Sequence, residues 1–271
     1  MPLYIVPTPI GNLEDITLRA LRVLREAALI AAEDTRVSRV LLEHYDIIKP
    51  MISYHEHNKL ARVDEILDVL ESGRDVALIS DAGTPGLSDP GYELINACLR
   101  AKVQVISLPG PNAAITALVA SGLPTDRFTF LGFLPRKKHA LVAELMALSD
   151  APETLIAYES PYRLVETLQA ICEIMGESRP VCVAREITKL FEEYFRGTAR
   201  QALDYFMEEP VRGEVTLLIG GQPRSGDVWS EAQVRAEMQR RLQAGESRNA
   251  AAKAVAAESG WNKRDIYALR F

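Results

Sequence analysis

Short apolar runs bounded by Gly, Pro, Asp or Ser recur along this chain. They read LYIVPT (3–8), LIAAED (29–34), MISY (51–54), DVALIS (75–80), VQVISL (103–108), FTFLGFL (128–134), TLIAYES (154–160), VCVARE (181–186) and EVTLLIGG (214–221). Runs of that length predict buried strands. Between them, apolar residues fall at helical spacing and predict helices over 17–26, 38–44, 59–71, 92–100, 113–121, 139–147, 163–175 and 198–206. The alternation predicts an α/β fold with largely parallel sheets. A turn-rich stretch at 121–127 divides a first α/β domain, 1–121, from a second, 122–222. QPRSG (222–226) reads as a linker, and 227–271 as a small helical domain with helices over 230–244, 247–258 and 263–269.

One junction carries most of the chemical information. SDAGTPGLSDPG (80–91) lies between a predicted strand and a predicted helix. Ligands of α/β proteins sit beyond the carboxyl ends of the strands. Glycines let backbone approach a ligand closely, and prolines stiffen the loop. Asp81 and Asp89 are its polar handles. The next strand ends the same way, in Pro109, Gly110, Pro111 and Asn112, before a helix of small residues. Asn112 is placed to cap that helix. Two such loops on consecutive strands predict the walls of one small-molecule pocket.

Composition narrows the class. The 271 residues are 48% hydrophobic and 25% charged, ordinary for a globular chain. No apolar run approaches the roughly 20 residues a membrane span needs, and MPLYIVPTPIG lacks the features of a signal peptide. Cys98, Cys172 and Cys182 are far apart and odd in number, which predicts buried thiols in a reducing cytosol. A net charge of −6 argues against a general nucleic-acid coat. The segment 226–271 nevertheless holds eight Lys/Arg against six Asp/Glu. Its short helices suggest a helix-turn-helix, with Lys263 and Arg264 at the start of the last helix, where it would meet the phosphates or bases of a nucleic acid; a cap packed on the body is the alternative.

The ordered segments YIVPTPIGNLEDIT (4–17), AEDTR (32–36), SYHEHN (53–58), SDAGTPGLSDPG, LPGPNA (108–113), FLGFLPRK (130–137), YESPYR (158–163), AREITKLFEE (184–193) and GEVTLLI (213–219) resemble the tetrapyrrole-methylase superfamily of S-adenosylmethionine enzymes. Within it they are most similar to the branch that methylates a cytidine ribose 2′-hydroxyl in the decoding region of small-subunit ribosomal RNA. Tetrapyrrole-acting members have a Gly-rich loop after the first strand, where this chain has PTPIGNLED. The resemblance implies two α/β domains with the methyl donor in the cleft between them, a homodimer, and a cytoplasmic protein whose partner is small-subunit ribosomal RNA within the assembled subunit. It implies cofactor contacts at Asp81, Gly83, Thr84, Leu87, Pro109, Asn112 and Ala113, with Tyr158, Ala184, Val215 and Thr216 as the second-domain wall.

Methyl transfer to a hydroxyl needs a proton acceptor and no metal. Glu186, ending a predicted strand beside Arg185 and near Lys189, is the first candidate, with Lys189 as its partner; Asp34 and Glu159 are rivals, and a surface salt-bridge cluster is the alternative. Arg36, Arg163 and Arg185 are candidate phosphate contacts, and the run Arg136, Lys137, Lys138, His139 a candidate RNA guide; solvated helix starts are the alternative for Arg36, Arg163 and that run. His55 and His57 lack the further ligands of a metal site. A tetrapyrrole methyltransferase and a non-catalytic ribosome-associated RNA-binding factor are the competing functional readings.

Overall fold

The computed structural model describes residues 1–208, 211–222 and 229–269. It forms two compact units, Met1–Ser149 with Glu153–Gly220, and Asp150–Pro152 with Gly221–Phe271. The first unit opens with β1 (Leu3–Ile5), α1 (Leu18–Glu26), β2 (Leu29–Ala32), α2 (Thr35–His44), β3 (Met51–Ser53), α3 (Lys59–Glu71), β4 (Val76–Ile79), α4 (Tyr92–Arg100), β5 (Val105–Ser107) and α5 (Ala113–Ala120). These strands build a parallel sheet in the order β3-β2-β4-β1-β5. Successive side chains of a strand face opposite ways. Val6, Ile30, Ala32, Ala77 and Ile79 accordingly pack with α1 and α2, and Leu3, Ile5, Ala31, Val76 and Leu78 with α3 and α4. Helices on both faces explain why β2 and β4 are buried throughout.

The same unit continues with β6 (Phe128–Phe133), α6 (Lys138–Ala147), β7 (Thr154–Glu159), α7 (Leu164–Met175), β8 (Pro180–Arg185), β9 (Glu193–Thr198), α8 (Ala199–Glu208) and β10 (Val215–Ile219). Their sheet runs β6-β7-β10-β8-β9. Here the expected parallel pairing holds only for β6 and β7; β10 is antiparallel to β7 and β8, and β8 to β9. A buried strand has the same apolar signature in either direction, so the runs at 181–186 and 214–221 carried no sign of this. β9 was not expected. It is an edge strand of only partly buried residues, EYFRGT, without a continuous apolar run. Helix α5 lays Ala114, Ala117 and Leu118 against Ile156, Cys182, Ala184 and Leu218 of the second sheet.

The second unit holds α9 (Glu231–Gln243), α10 (Arg248–Ser259) and α11 (Lys263–Ala268). Ser230 and Gln233 form a capping box at the start of α9, and Ser247 caps α10. Val234, Met238, Ala251, Ala252, Val255 and Ile266 make its core. Lys263 and Arg264 are exposed on α11. Of the expected linker 222–226 only Gln222 lies within the described residues, and the first two and last two residues of the expected helical domain lie outside them.

Candidate active site

Three loops leave neighbouring strands β4, β1 and β5 at the same end of the first sheet and are tied together. Thr8 and Gly83 exchange backbone hydrogen bonds of 2.8 and 3.0 Å, and the Thr8 hydroxyl donates to the Ser80 carbonyl at 3.0 Å. Gly83 sits at φ +76°, a left-handed conformation that glycine adopts without a Cβ penalty. The Thr84 hydroxyl donates to the Pro111 carbonyl at 3.1 Å and closes the loop after β4 onto the loop after β5. Asn112 caps α5 as expected, its Oδ1 accepting from Ile115 N at 3.0 Å. Facing these loops, β7 and β10 complete a cleft of about 400 Å³.

Of the residues expected to hold the cofactor, Gly83, Thr84, Leu87, Asn112, Ala113, Tyr158, Val215 and Thr216 line that cleft. Asp81, Pro109 and Ala184 stand outside its lining. Asp81 is turned toward the loop after β2, its Oδ1 accepting from Asp34 N at 3.0 Å. Pro109 is exposed, and Ala184 is buried beneath the wall, paired with Thr216 in the sheet. Asp89, the other acid of the Ser80–Gly91 loop, is the one in the lining, with Ile10, Phe133 and Glu159. Phe130 and Phe133 stack edge-on against Tyr158 at 5.1 and 5.5 Å between ring centroids, and the Tyr158 hydroxyl bonds the backbone of Ala114.

The acids differ in character. Burial, followed by the charge of Glu33, pushes Asp89 up to about 6, against a hydrogen bond from Ser80 that opposes the rise. Burial also raises Glu33 and Asp81. Glu159 is buried, but its oxygens are satisfied by Ser160 N at 2.7 Å, the Thr167 hydroxyl at 2.6 Å and Arg163 at 3.2 Å. Glu186 lies beside the cleft residues Gly213 and Glu214. Its Oε1 accepts from Lys189 Nζ at 2.9 Å and from Glu214 N at 3.0 Å, and Lys189 also reaches Glu214 Oε2 at 3.0 Å. The Lys189 hydrogen bond holds the Glu186 carboxyl below its usual range. Two glycines make room for this cluster: a Cβ on Gly213 would fall 2.2 Å from Glu186 Oε1, and one on Gly11 2.5 Å from Lys189 Cγ.

The expected RNA-contacting cations fall into two groups. Arg36 is chelated by Asp34, which its hydrogen bonds pull down to about 2. Arg163 spends its donors on the Leu134 and Pro135 carbonyls, and Arg185 on Glu193 and the Arg212 carbonyl. Arg136 and Lys137, with Lys263 and Arg264 on the other unit, are exposed. In HEH, His55 N and Asn58 form a turn that starts α3.

A model of the tetrapyrrole (corrin/porphyrin) methylases matches residues 2–203. Among solved structures, a uroporphyrin-III C-methyltransferase from Thermus thermophilus superimposes with TM-score 0.55 at 22% identity, covering 81% of this chain and 94% of that one. A cobalt precorrin-4 methyltransferase of cobalamin biosynthesis gives TM-score 0.60 at 19% identity, covering 81% and 94%. These likenesses establish the shared fold. Two relatives are closer in sequence, both named ribosomal RNA small subunit methyltransferase I. One, from Synechocystis sp., is 45% identical over 98% of this chain and 96% of its own; the other, from Halalkalibacterium halodurans, is 46% identical over 98% and 93%. The chain belongs to the tetrapyrrole methylase family and, within it, to the group that carries that name.

Membership in this family makes S-adenosylmethionine the cofactor, and the cleft suits it. Its volume lies within the range of about 300–1,000 Å³ usual for small-molecule sites. Its walls are largely apolar, Ile10, Leu87, Phe133 and Val215, with the polar groups of Thr84, Asn112 and Thr216 among them. The Asp89 carboxylate offers an anion to a cationic ligand.

Proposed function

We propose that this protein transfers a methyl group from S-adenosylmethionine to the ribose 2′-hydroxyl of a cytidine in the decoding region of small-subunit ribosomal RNA. One observation carries the reading. The family match ends at residue 203, whereas similarity to the ribosomal RNA relatives runs over 98% of the chain and so takes in the C-terminal helices. A small tetrapyrrole substrate gives no reason for that helical unit; an RNA does.

The donor supplies a methyl group on a sulfonium, already activated for displacement. The protein must hold the hydroxyl in line with it, about 3–3.5 Å away, and accept its proton. Thr84, Asn112, Ala113, Tyr158, Val215 and Thr216 hold the donor, with Gly83 and Leu87 shaping the wall. Ala184 supports that wall from behind, Pro109 stiffens the loop after β5, and Asp81 ties the Ser80–Gly91 loop to the loop after β2. Asp89, ionised above about pH 6, balances the donor's positive charge. Glu186 stays ionised at neutral pH and takes the hydroxyl proton, while Lys189 and Glu214 N fix its orientation. Arg136 and Lys137 guide the phosphate backbone, and Lys263 and Arg264 anchor it through the helical unit. Arg36, Arg163 and Arg185 assist by holding the loops that carry these contacts. The working form is a cytoplasmic homodimer acting on the assembled small subunit.

The test is transfer of label from S-adenosylmethionine to small ribosomal subunits, naked ribosomal RNA and a tetrapyrrole precursor in parallel. Labelled RNA is expected. Label in the tetrapyrrole alone would move the function to the chemistry of the structural neighbours, and failure to bind the donor would favour a non-catalytic RNA-binding factor.

A further inference from the structure

The donor cleft does not end at its own rim. A second, open groove of about 630 Å³ shares Pro161 and Gly213 with it and continues past Tyr162, Met207 and Arg212. Tyr162 is 93% exposed, and its hydroxyl has no partner among the described residues. Met207 is 67% exposed. Large apolar surface left open beside a reactive site marks a place for a ligand. Among the described residues, the groove's lining charges are one cation, Arg212, and one anion, Glu208. Near-neutral walls suit a nucleobase better than a run of phosphates. Arg212 is exposed in the same lining and suits a single phosphate.

A ribose whose 2′-hydroxyl reaches the donor cleft carries its base with it. Enzymes whose target atom cannot be reached inside a stacked helix extrude the nucleotide, and an exposed aromatic side chain offers an extruded base a stacking face. We propose that this second groove receives the extruded base of the target nucleotide, with Tyr162 as its stacking face and the ribose held at the Pro161–Gly213 junction. The inference rests on the RNA reading above. Pro161 restrains the backbone that presents Tyr162, and Arg163, the next residue, is locked onto the Leu134 and Pro135 carbonyls. The tyrosine therefore stands on a fixed turn although its ring is free.

The experiment compares wild type, Tyr162→Ala, Tyr162→Phe and Tyr162→Trp for methyl transfer to small ribosomal subunits, with donor affinity measured calorimetrically on each. Loss of one base–aromatic stack predicts a fall in kcat/KM for the subunit of about ten- to a hundredfold in Tyr162→Ala, with Phe and Trp within about threefold of wild type. Donor affinity should be unchanged in all four. Transfer by Tyr162→Ala at the wild-type rate would overturn the groove proposal alone, as would equal losses in Ala, Phe and Trp. Absence of transfer to RNA by wild type would overturn the RNA reading and the groove with it.

Discussion

The hydroxyl of Thr84 donates to the carbonyl of Pro111 at 3.1 Å, joining loops that are 27 residues apart in sequence. Each loop follows its own parallel strand, and the bond sets the width of the cleft floor between them. Thr84→Val keeps the shape and removes the donor, leaving the Pro111 carbonyl without it. One ordinary hydrogen bond, about 1 kcal/mol, is expected to be lost from stability, and donor affinity to fall roughly fivefold. Thermal unfolding and calorimetry on the same variant check both figures; unchanged affinity would mean that the loops hold their spacing without this bond.

Asp89 gives the site a pH dependence of definite sign. With its folded pKa raised to about 6, the carboxyl is protonated below that value and anionic above it. Binding of a cationic donor should therefore weaken as pH falls through about 6. The same raised pKa makes the folded state relatively more favourable at acid pH, and that contribution is lost as pH rises through about 6. In Asp89→Asn both dependences should flatten, with weak donor binding throughout. Titration calorimetry between acid and neutral pH reads the first, and thermal melts over the same range the second. Equal donor affinity on both sides of pH 6 in the wild type would remove Asp89 from the donor site.

Glu186 and Lys189 form the proposed proton-accepting pair. Glu186→Gln keeps the size and loses the charge, so transfer should slow by about 10²–10⁴-fold while the donor still binds. Gly213→Ala is the complementary steric test. Its Cβ would meet Glu186 at 2.2 Å and sit at φ +81°, a combination expected to cost roughly 1–3 kcal/mol of stability and to displace the carboxylate. Single-turnover rates, with melting curves beside them, separate the two effects. Full activity in Glu186→Gln would return this cluster to the role of a surface salt bridge.

The helical unit should show itself through salt. If Lys263 and Arg264 meet phosphate, replacing both with alanine lowers RNA affinity for every sequence and reduces the slope of log affinity against log salt by about one per phosphate contact. Donor affinity stays as it was. An unchanged slope would make the unit a structural cap.

Much of this arrangement was legible in the residues because local physics set it. Thr17, Asn112, Ser230 and Ser247 each cap the helix that follows; the loop at 80–91 supplies much of the cleft lining, and the loop at 109–112 contributes Asn112. What escaped depends on partners distant in sequence. Nothing local says that Asp81 is drawn away to Asp34 N while Asp89 faces the cleft. Strand β9 is hidden because an edge strand needs only partial burial. Arg163 and Arg185 read as free cations until the folded chain supplies the carbonyls and carboxylate that occupy them.

The central claim is that this cleft delivers methyl to a ribose. The most direct measurement is complete nuclease digestion of small-subunit RNA after reaction with labelled S-adenosylmethionine, with the labelled nucleoside identified by mass spectrometry. One product is predicted, 2′-O-methylcytidine, formed in smaller amount by Asp89→Asn at limiting donor. Label on a nucleobase, on another nucleoside, or undiminished in that variant would contradict it.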